Sequence, residues 1–174
     1  MWRRALVSFV LAFAVVAEPI PGAAATTPIA MLEIPRIDPP GARPVLEGVS
    51  AKTLAAGVGH HPETAPPGEP GNTVLLGHRT LGPAPFHDLD RLRPGDVIRL
   101  YGSGFRLAYR VESTRITSPR DRGIVAPVPF TPSVDTDQHF LTLVTCHPKG
   151  SDRYRLVVVG RTVPDHGRFR LAQT

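Results

Sequence analysis

The 174-residue chain carries one cysteine, Cys146, which closes the apolar run Leu141-Thr142-Leu143-Val144-Thr145 and is followed by His147-Pro148. A lone thiol has no intramolecular disulfide partner, so it is inert, intermolecular or reactive. A cysteine thiol has an unperturbed pKa of about 8.5. It becomes a useful nucleophile near neutral pH when a histidine or a cation stabilises the thiolate. His78 follows Gly77 at the end of the run Asn72-Thr73-Val74-Leu75-Leu76, where its ring can stand free at a sheet rim. Arg155 opens the run Leu156-Val157-Val158-Val159, and only residues 147–154 separate it from Cys146. A guanidinium can donate two hydrogen bonds to a developing oxyanion. Cysteine, histidine and arginine thus make a complete set for acyl transfer: nucleophile, proton carrier and oxyanion stabiliser.

Each of the three also has an ordinary reading. A cysteine at a strand end can be a small buried hydrophobe, and His78 can be a surface or packing histidine. Arg153 is an equal candidate for the oxyanion role by chemistry, and strand alternation puts it on the same face as Arg155. His60, His61 and His78 read poorly as metal ligands, because no helical or Cys-x-x-Cys-like spacing supports them.

The elements that must position these groups are short strands. Leu32-Glu33-Ile34 reads as the first strand and Val45 to Val49 as the second. Ser50 to Ala56 reads as a short helix, with Ser50 able to cap its start and Gly57 to end it. Residues 59–71 read as a loop rich in proline and glycine, leading into a strand over Asn72 to Gly77. Phe86 to Leu92 reads as a helical turn, followed by a tight turn at Pro94-Gly95-Asp96. Val97 to Tyr101 and Phe105 to Thr117 form a hairpin around Gly102-Ser103-Gly104. A second long loop spans 118–138. Strands over Phe140 to Thr145 and Tyr154 to Val159 come last. Six to eight short strands with long connections and hardly any helix imply an all-β barrel or sandwich. The two long loops flank the strands that carry His78 and Cys146, and long loops in compact domains are often functional.

Composition sets the outer bounds. Hydrophobic residues make up 41% of the chain, enough for a core, and 20 prolines and 16 glycines punctuate it. Formal charge is +5, and all but two of the twenty basic residues are arginine. The arginines are scattered without aromatic interleaving, so no nucleic-acid partner is expected. Trp2-Arg3-Arg4, the uncharged run Ala5 to Ala17 and the small residues Ala23-Ala24-Ala25 make a targeting leader. Its apolar core is shorter than the roughly 20 residues of a membrane span. Cleaved or retained as an anchor, it places the domain outside the cytoplasm. The expected organisation is a leader and linker over 1–30, a catalytic domain over 31–163 and a tail over 164–174.

Thr142-Leu143-Val144-Thr145-Cys146 resembles the TLxTC signature of sortases, the cell-wall transpeptidases of mostly Gram-positive bacteria. Gly77-His78-Arg79 resembles the motif that carries their catalytic histidine, and Arg155 with the valines after it resembles the strand that carries their arginine. Leu32-Glu33-Ile34-Pro35 and the stretch from Phe86 to Asp96 are also similar, so the resemblance covers roughly residues 31–163. Gly77-His78-Arg79-Thr80 and Cys146-His147-Pro148-Lys149-Gly150-Ser151 most resemble class E, the housekeeping type of high-GC actinobacteria. Such members often read Tyr-Gly where this chain reads Leu81-Gly82.

The resemblance implies a closed β-barrel of about eight strands with one or two short helices. It implies catalysis by Cys146, His78 and Arg155, with substrate contacts from Gly77, Arg79, Thr145 and His147. The substrates it implies are surface proteins bearing a C-terminal LPxTG-like or LAxTG-like motif, and the acceptor is a peptidoglycan precursor amine. No cofactor and no metal are expected, and the chain is expected to be a monomer. Other readings stay open: a thiol hydrolase or a pilin-polymerising sortase on the same scaffold, and a secreted β-domain that binds wall polymer without catalysis.

Overall fold

The computed structural model describes residues 27–38, 41–132 and 135–164. Residues 1–26, which hold the expected leader, residues 39–40 and 133–134, and the expected tail from 165 onward lie outside the described residues. Eight strands appear in the described chain: β1 (Ala30–Glu33), β2 (Arg43–Glu47), β3 (Val58–His60), β4 (Gly71–Leu76), β5 (Val97–Gly102), β6 (Phe105–Thr117), β7 (His139–His147) and β8 (Tyr154–Val163). They close into a barrel in the order β1-β2-β3-β4-β7-β8-β6-β5, with β5 returning to β1. Closure leaves no open sheet edge. Two neighbouring pairs are parallel, β2 with β3 and β4 with β7.

A parallel pair needs a crossover. The helix α1 (Ala51–Ala56) supplies it between β2 and β3. Ser50 Oγ accepts from Thr53 N–H at 3.1 Å, and Gly57 N–H donates to Thr53 O, so both ends are capped by the expected residues. Six residues are too few to hold a helix in isolation. The helix is fixed by packing on β3, where a Cβ at Gly59 would sit 2.3 Å from Gly48 O and 3.1 Å from Leu54 Cδ2. Only glycine lets the helix come that close. The segment 59–71 was expected to be loop throughout, but its start pairs as β3. Three residues with a glycine in the middle show no periodicity for a reader of sequence to find.

The barrel interior holds Leu32, Val45, Leu75, Leu100, Tyr109, Leu143 and Val158, all fully buried. A second apolar cluster lies on the outer face, where Val74, Phe140, Val144, Val157 and Val159 meet Ile124. Val125, Val128 and Phe130 cover it from the connection between β6 and β7. In β7, Leu141 and Leu143 point inward while Phe140 and Val144 point outward, so both faces are covered. This is why the strand reads as a continuous apolar run rather than an alternating one. A bulge between Val111 and Ser113 shifts the register of β6. Beyond it, Arg115 stands opposite Val157 and Thr117 opposite Arg155.

Candidate functional site

The strand β7 runs through Cys146 to His147 instead of stopping at Thr145. Its partner β8 pairs Cys146 directly with Arg155 and His147 with Tyr154. Directly opposed residues of an antiparallel pair project to one face. Cys146 and Arg155 therefore share the outer face of Val144 and Val157. On the other side of β7, the parallel partner β4 sets Leu76 beside Val144. Gly77 N–H then donates to Val144 O at 3.2 Å. Carrying that register two residues further sets His78 level with Cys146.

His78 and Cys146 line one open cleft of about 370 Å³, together with Arg79, Thr80, Leu81 and the turn Gly150 to Asp152. Cys146 and His78 are both half-buried, so the cleft is reachable from solvent. The guanidinium of Arg155 is held at the edge of this turn, where Nη1 donates to Asp152 O at 2.7 Å and to Tyr154 O at 3.1 Å. Arg153 lies one residue before β8, and its guanidinium stacks over the Tyr154 ring at 5.4 Å. Sequence parity leaves the two arginines equal; in the fold Arg155 lies within β8 opposite Cys146, and Arg153 lies outside the strand.

The residues expected to contact substrate each have an internal partner. Thr145 is buried, and its Oγ1 donates to Gly77 O at 2.7 Å, which ties β7 to the chain immediately before His78. Gly77 has no room for a side chain: a Cβ there would meet Phe86 Cδ2 and Pro85 Cγ at 2.8 Å. Arg79 is 3% exposed. Its Nη1 donates to Cys146 O at 3.3 Å and to His147 Nδ1 at 3.2 Å. Its Nε donates to His87 O at 3.3 Å, and its Nη2 pairs with Asp90 Oδ1 at 3.0 Å. His87 Nδ1–H donates back to Arg79 O at 2.9 Å. One guanidinium thus joins the turn at 86–92 to the backbone of Cys146 itself. The sequence reading missed this, and the only signal for it was an arginine directly after an apolar strand and a histidine.

A second link crosses nearby. Lys149 Nζ donates to Asp88 Oδ1 at 3.2 Å, and that hydrogen bond holds the Asp88 carboxyl below the usual carboxylate range. It joins the turn after Cys146 to the turn at 86–92.

His60 takes no part in this cleft. It is buried, with Nδ1 facing Glu47 Oε2 at 3.0 Å and Nε2 facing Ala65 O at 3.1 Å. Among the described residues, no group of three His, Cys, Asp or Glu side chains stands where it could hold a metal ion. No helix among them is long and apolar enough to cross a membrane.

A family model described as "Sortase domain" matches residues 32–163. Among curated proteins, the chain is 33% identical to Sortase SrtE1 of Streptomyces coelicolor over 149 residues, 81% of this chain and 42% of that protein. It is 32% identical to Sortase D of Bacillus subtilis over 136 residues, 76% of this chain and 63% of that protein. The chain thus spans roughly half the length of these relatives. Among solved structures, sortase E of Streptomyces avermitilis superposes with a TM-score of 0.70 at 32% identity, covering 79% of this chain and 89% of that one. The SrtA sortase of Actinomyces oris superposes with a TM-score of 0.74 at 26% identity, covering 84% and 88%.

Proposed function

The chain belongs to the sortase family, and from that premise we propose that it is an extracytoplasmic cysteine transpeptidase that attaches surface proteins to the cell wall. Cys146 is the nucleophile, His78 the proton carrier and Arg155 the oxyanion stabiliser. The substrate is a protein with a C-terminal LPxTG-like or LAxTG-like motif, and the acceptor is the amine of a peptidoglycan precursor. The catalytic domain is 31–163, delivered outside the cytoplasm of a Gram-positive actinobacterium by the leader, which anchors it to the membrane if retained and releases it if cleaved.

The thiolate of Cys146 attacks the carbonyl carbon of the Thr–Gly bond. A C–S bond forms, and the carbonyl π pair moves onto oxygen, where the Arg155 guanidinium meets it. When the tetrahedral species collapses, the C–N bond breaks and His78 delivers a proton to the departing glycine amine. A thioester remains on Cys146. The acceptor amine then attacks the thioester, His78 removes its proton, and the thiolate leaves as the new amide forms. Gly77, Thr145, Arg79 and His147 serve this chemistry by fixing where the imidazole and the sulfur stand. The Asp152 carbonyl, in the turn that lines the cleft, holds the Arg155 guanidinium by a hydrogen bond.

The observation that supports this reading most is the register: β4, β7 and β8 bring His78, Cys146 and Arg155 to one end of three adjacent strands, beside one open cleft. The test is incubation with a sorting-motif peptide and a free amine, followed by mass spectrometry. A new peptide–amine amide is expected, and Cys146→Ala abolishes it. Hydrolysis alone, with no amine product at any amine concentration, marks a thiol hydrolase; an inert peptide together with an unreactive thiol marks a non-catalytic binder.

A further inference from the structure

One buried polar group takes no part in the transfer chemistry. Asn72, in β4, is 1% exposed. Its Nδ2 donates to Ile124 O and to Ala126 O, both at 2.9 Å. Its Oδ1 accepts from Thr142 Oγ1 at 2.7 Å. An amide side chain has two donor hydrogens, and both go to the connection between β6 and β7, across sequence separations of 52 and 54.

Two side chains of β6 also reach that connection: Thr117 Oγ1 donates to Asp121 Oδ2 at 2.5 Å, and the Arg115 guanidinium stacks over the Phe130 ring at 4.5 Å. The connection carries Pro119, Pro127, Pro129 and Pro132, and among its described residues the regular structure is one 3-10 turn at Arg122–Ile124. Ile124, Val125, Val128 and Phe130 press it onto Val74, Val144 and Val157. Such packing is non-directional and tolerates sliding. The two hydrogen bonds from Asn72 tie the backbone at Ile124 and Ala126 to β4, the side of the connection nearest β7, and Thr142 sets the orientation of Asn72.

The connection lies on the catalytic face. Val144 and Val157, which it covers, are two residues before Cys146 and two after Arg155, a spacing of about 7 Å along a strand. An extended peptide held at Cys146 that runs back along β7 meets this wall within its first few residues.

We propose that Asn72 is a positioning residue for the substrate: it locks residues 121–130 as a preformed wall of the peptide groove beside Cys146. The proposal rests on the transpeptidase reading above. A wall already docked spares the peptide the cost of ordering it. Should removal of the lock leave it docked in about one molecule in ten, the apparent affinity falls about tenfold.

The experiment compares wild type, Asn72→Ala and Thr142→Val in two readouts. Thr142→Val keeps the side-chain shape in β7 and removes only the hydroxyl that orients Asn72, so it serves where Asn72→Ala disturbs the fold. In hydrogen exchange, the amides of Val125 and Phe130, which donate to Arg122 O and Gly123 O, are expected to exchange faster in both variants, with β7 and β8 amides unchanged. In peptide turnover, KM is expected to rise about tenfold in Asn72→Ala, and less in Thr142→Val, while kcat stays close to wild type. Unchanged exchange in the 121–130 segment overturns the lock. A fall in kcat at constant KM overturns the substrate role. Wild-type protein inert to every sorting peptide, with the segment still loosened in the variants, defeats the functional reading and the substrate role together while leaving the lock in place.

Discussion

Replacing Arg79 with methionine keeps the length of an apolar stem and removes the guanidinium that joins the turn at 86–92 to Cys146. The side chain of Arg79 is 2% exposed, while that of its ionic partner Asp90 is 47% exposed. Asp90 can therefore turn to water when the charge is gone. Cys146 O and His87 O lose their donor with less recourse. No buried charge is left behind, so the cost is that of two buried carbonyls without their donor, about 1–3 kcal/mol each, and about 3 kcal/mol together. At about 3 °C per kcal/mol for a domain of this size, Tm falls by roughly 9 °C. The same loss frees the carbonyl of the nucleophile's own residue. A misplacement of about 1 Å can cost about a hundredfold in rate, so kcat is expected to fall between about tenfold and a hundredfold at temperatures where the variant is folded. Scanning calorimetry and peptide turnover measure the two effects on one sample. Arg79→Lys is expected to recover little, because an ammonium is a point charge that cannot serve four partners from a planar fork. Added salt is expected to leave the Tm difference nearly intact, since buried pairs are weakly screened. An Arg79→Met protein with Tm within about 2 °C of wild type and unchanged kcat would refute the reasoning.

Arg155→Ala is expected to lower kcat by about 10²–10³-fold, whereas Arg153→Ala, which loses only a stacking contact on Tyr154, leaves peptide turnover close to wild type; equal losses at both positions contradict the assignment. Gly77→Ala is expected to destabilise the domain by about 1–3 kcal/mol, because the new methyl collides with Phe86 and Pro85, and chemical denaturation reads this directly. The Asp121 carboxyl is held below its usual value, first by the hydroxyl of Thr117 and then by the N–H of Gly123. A depressed folded value means that its contribution is fully present above the unfolded value of about 3.9 and disappears as pH falls through the lower folded value. The 121–125 turn is therefore expected to hold at pH 5 and above, and an NMR titration that places the Asp121 midpoint at or above the ordinary carboxylate range contradicts this.

The sequence makes the barrel legible wherever burial leaves a pattern. The runs at 141–145 and 156–159 are covered on both faces and stand out as apolar blocks. The hairpin at 97–117 shows its turn through Gly102 and Gly104, and α1 shows its caps. Nothing marked β3, whose three residues are held by pairing with β2 and β4 rather than by their own preference. The bulge in β6 was equally silent, although it sets which side chains face outward from Ser113 onward. Cys146 and His78, which line the cleft, and Arg155, which pairs with Cys146 across β8, could be picked out as candidates by type and spacing. Their supports could not. Arg79 and Asn72 are polar residues in apolar surroundings, and their meaning lies in partners up to 68 and 70 positions away. Long-range hydrogen bonds leave no periodic trace. The same limit kept Arg153 and Arg155 equal in the sequence; pairing across β7 and β8 sets Arg155 opposite Cys146 and leaves Arg153 before the strand.

The central claim is that Cys146 carries the acyl group between the two halves of the reaction. Intact-mass spectrometry of the protein mixed with a sorting-motif peptide, with the acceptor amine withheld, tests it most directly. The account predicts a mass gain equal to the peptide up to and including its threonine, mapped to Cys146 and discharged when amine is added. Peptide cleaved at the normal rate with no adduct on Cys146, or an adduct that amine fails to discharge, would contradict it.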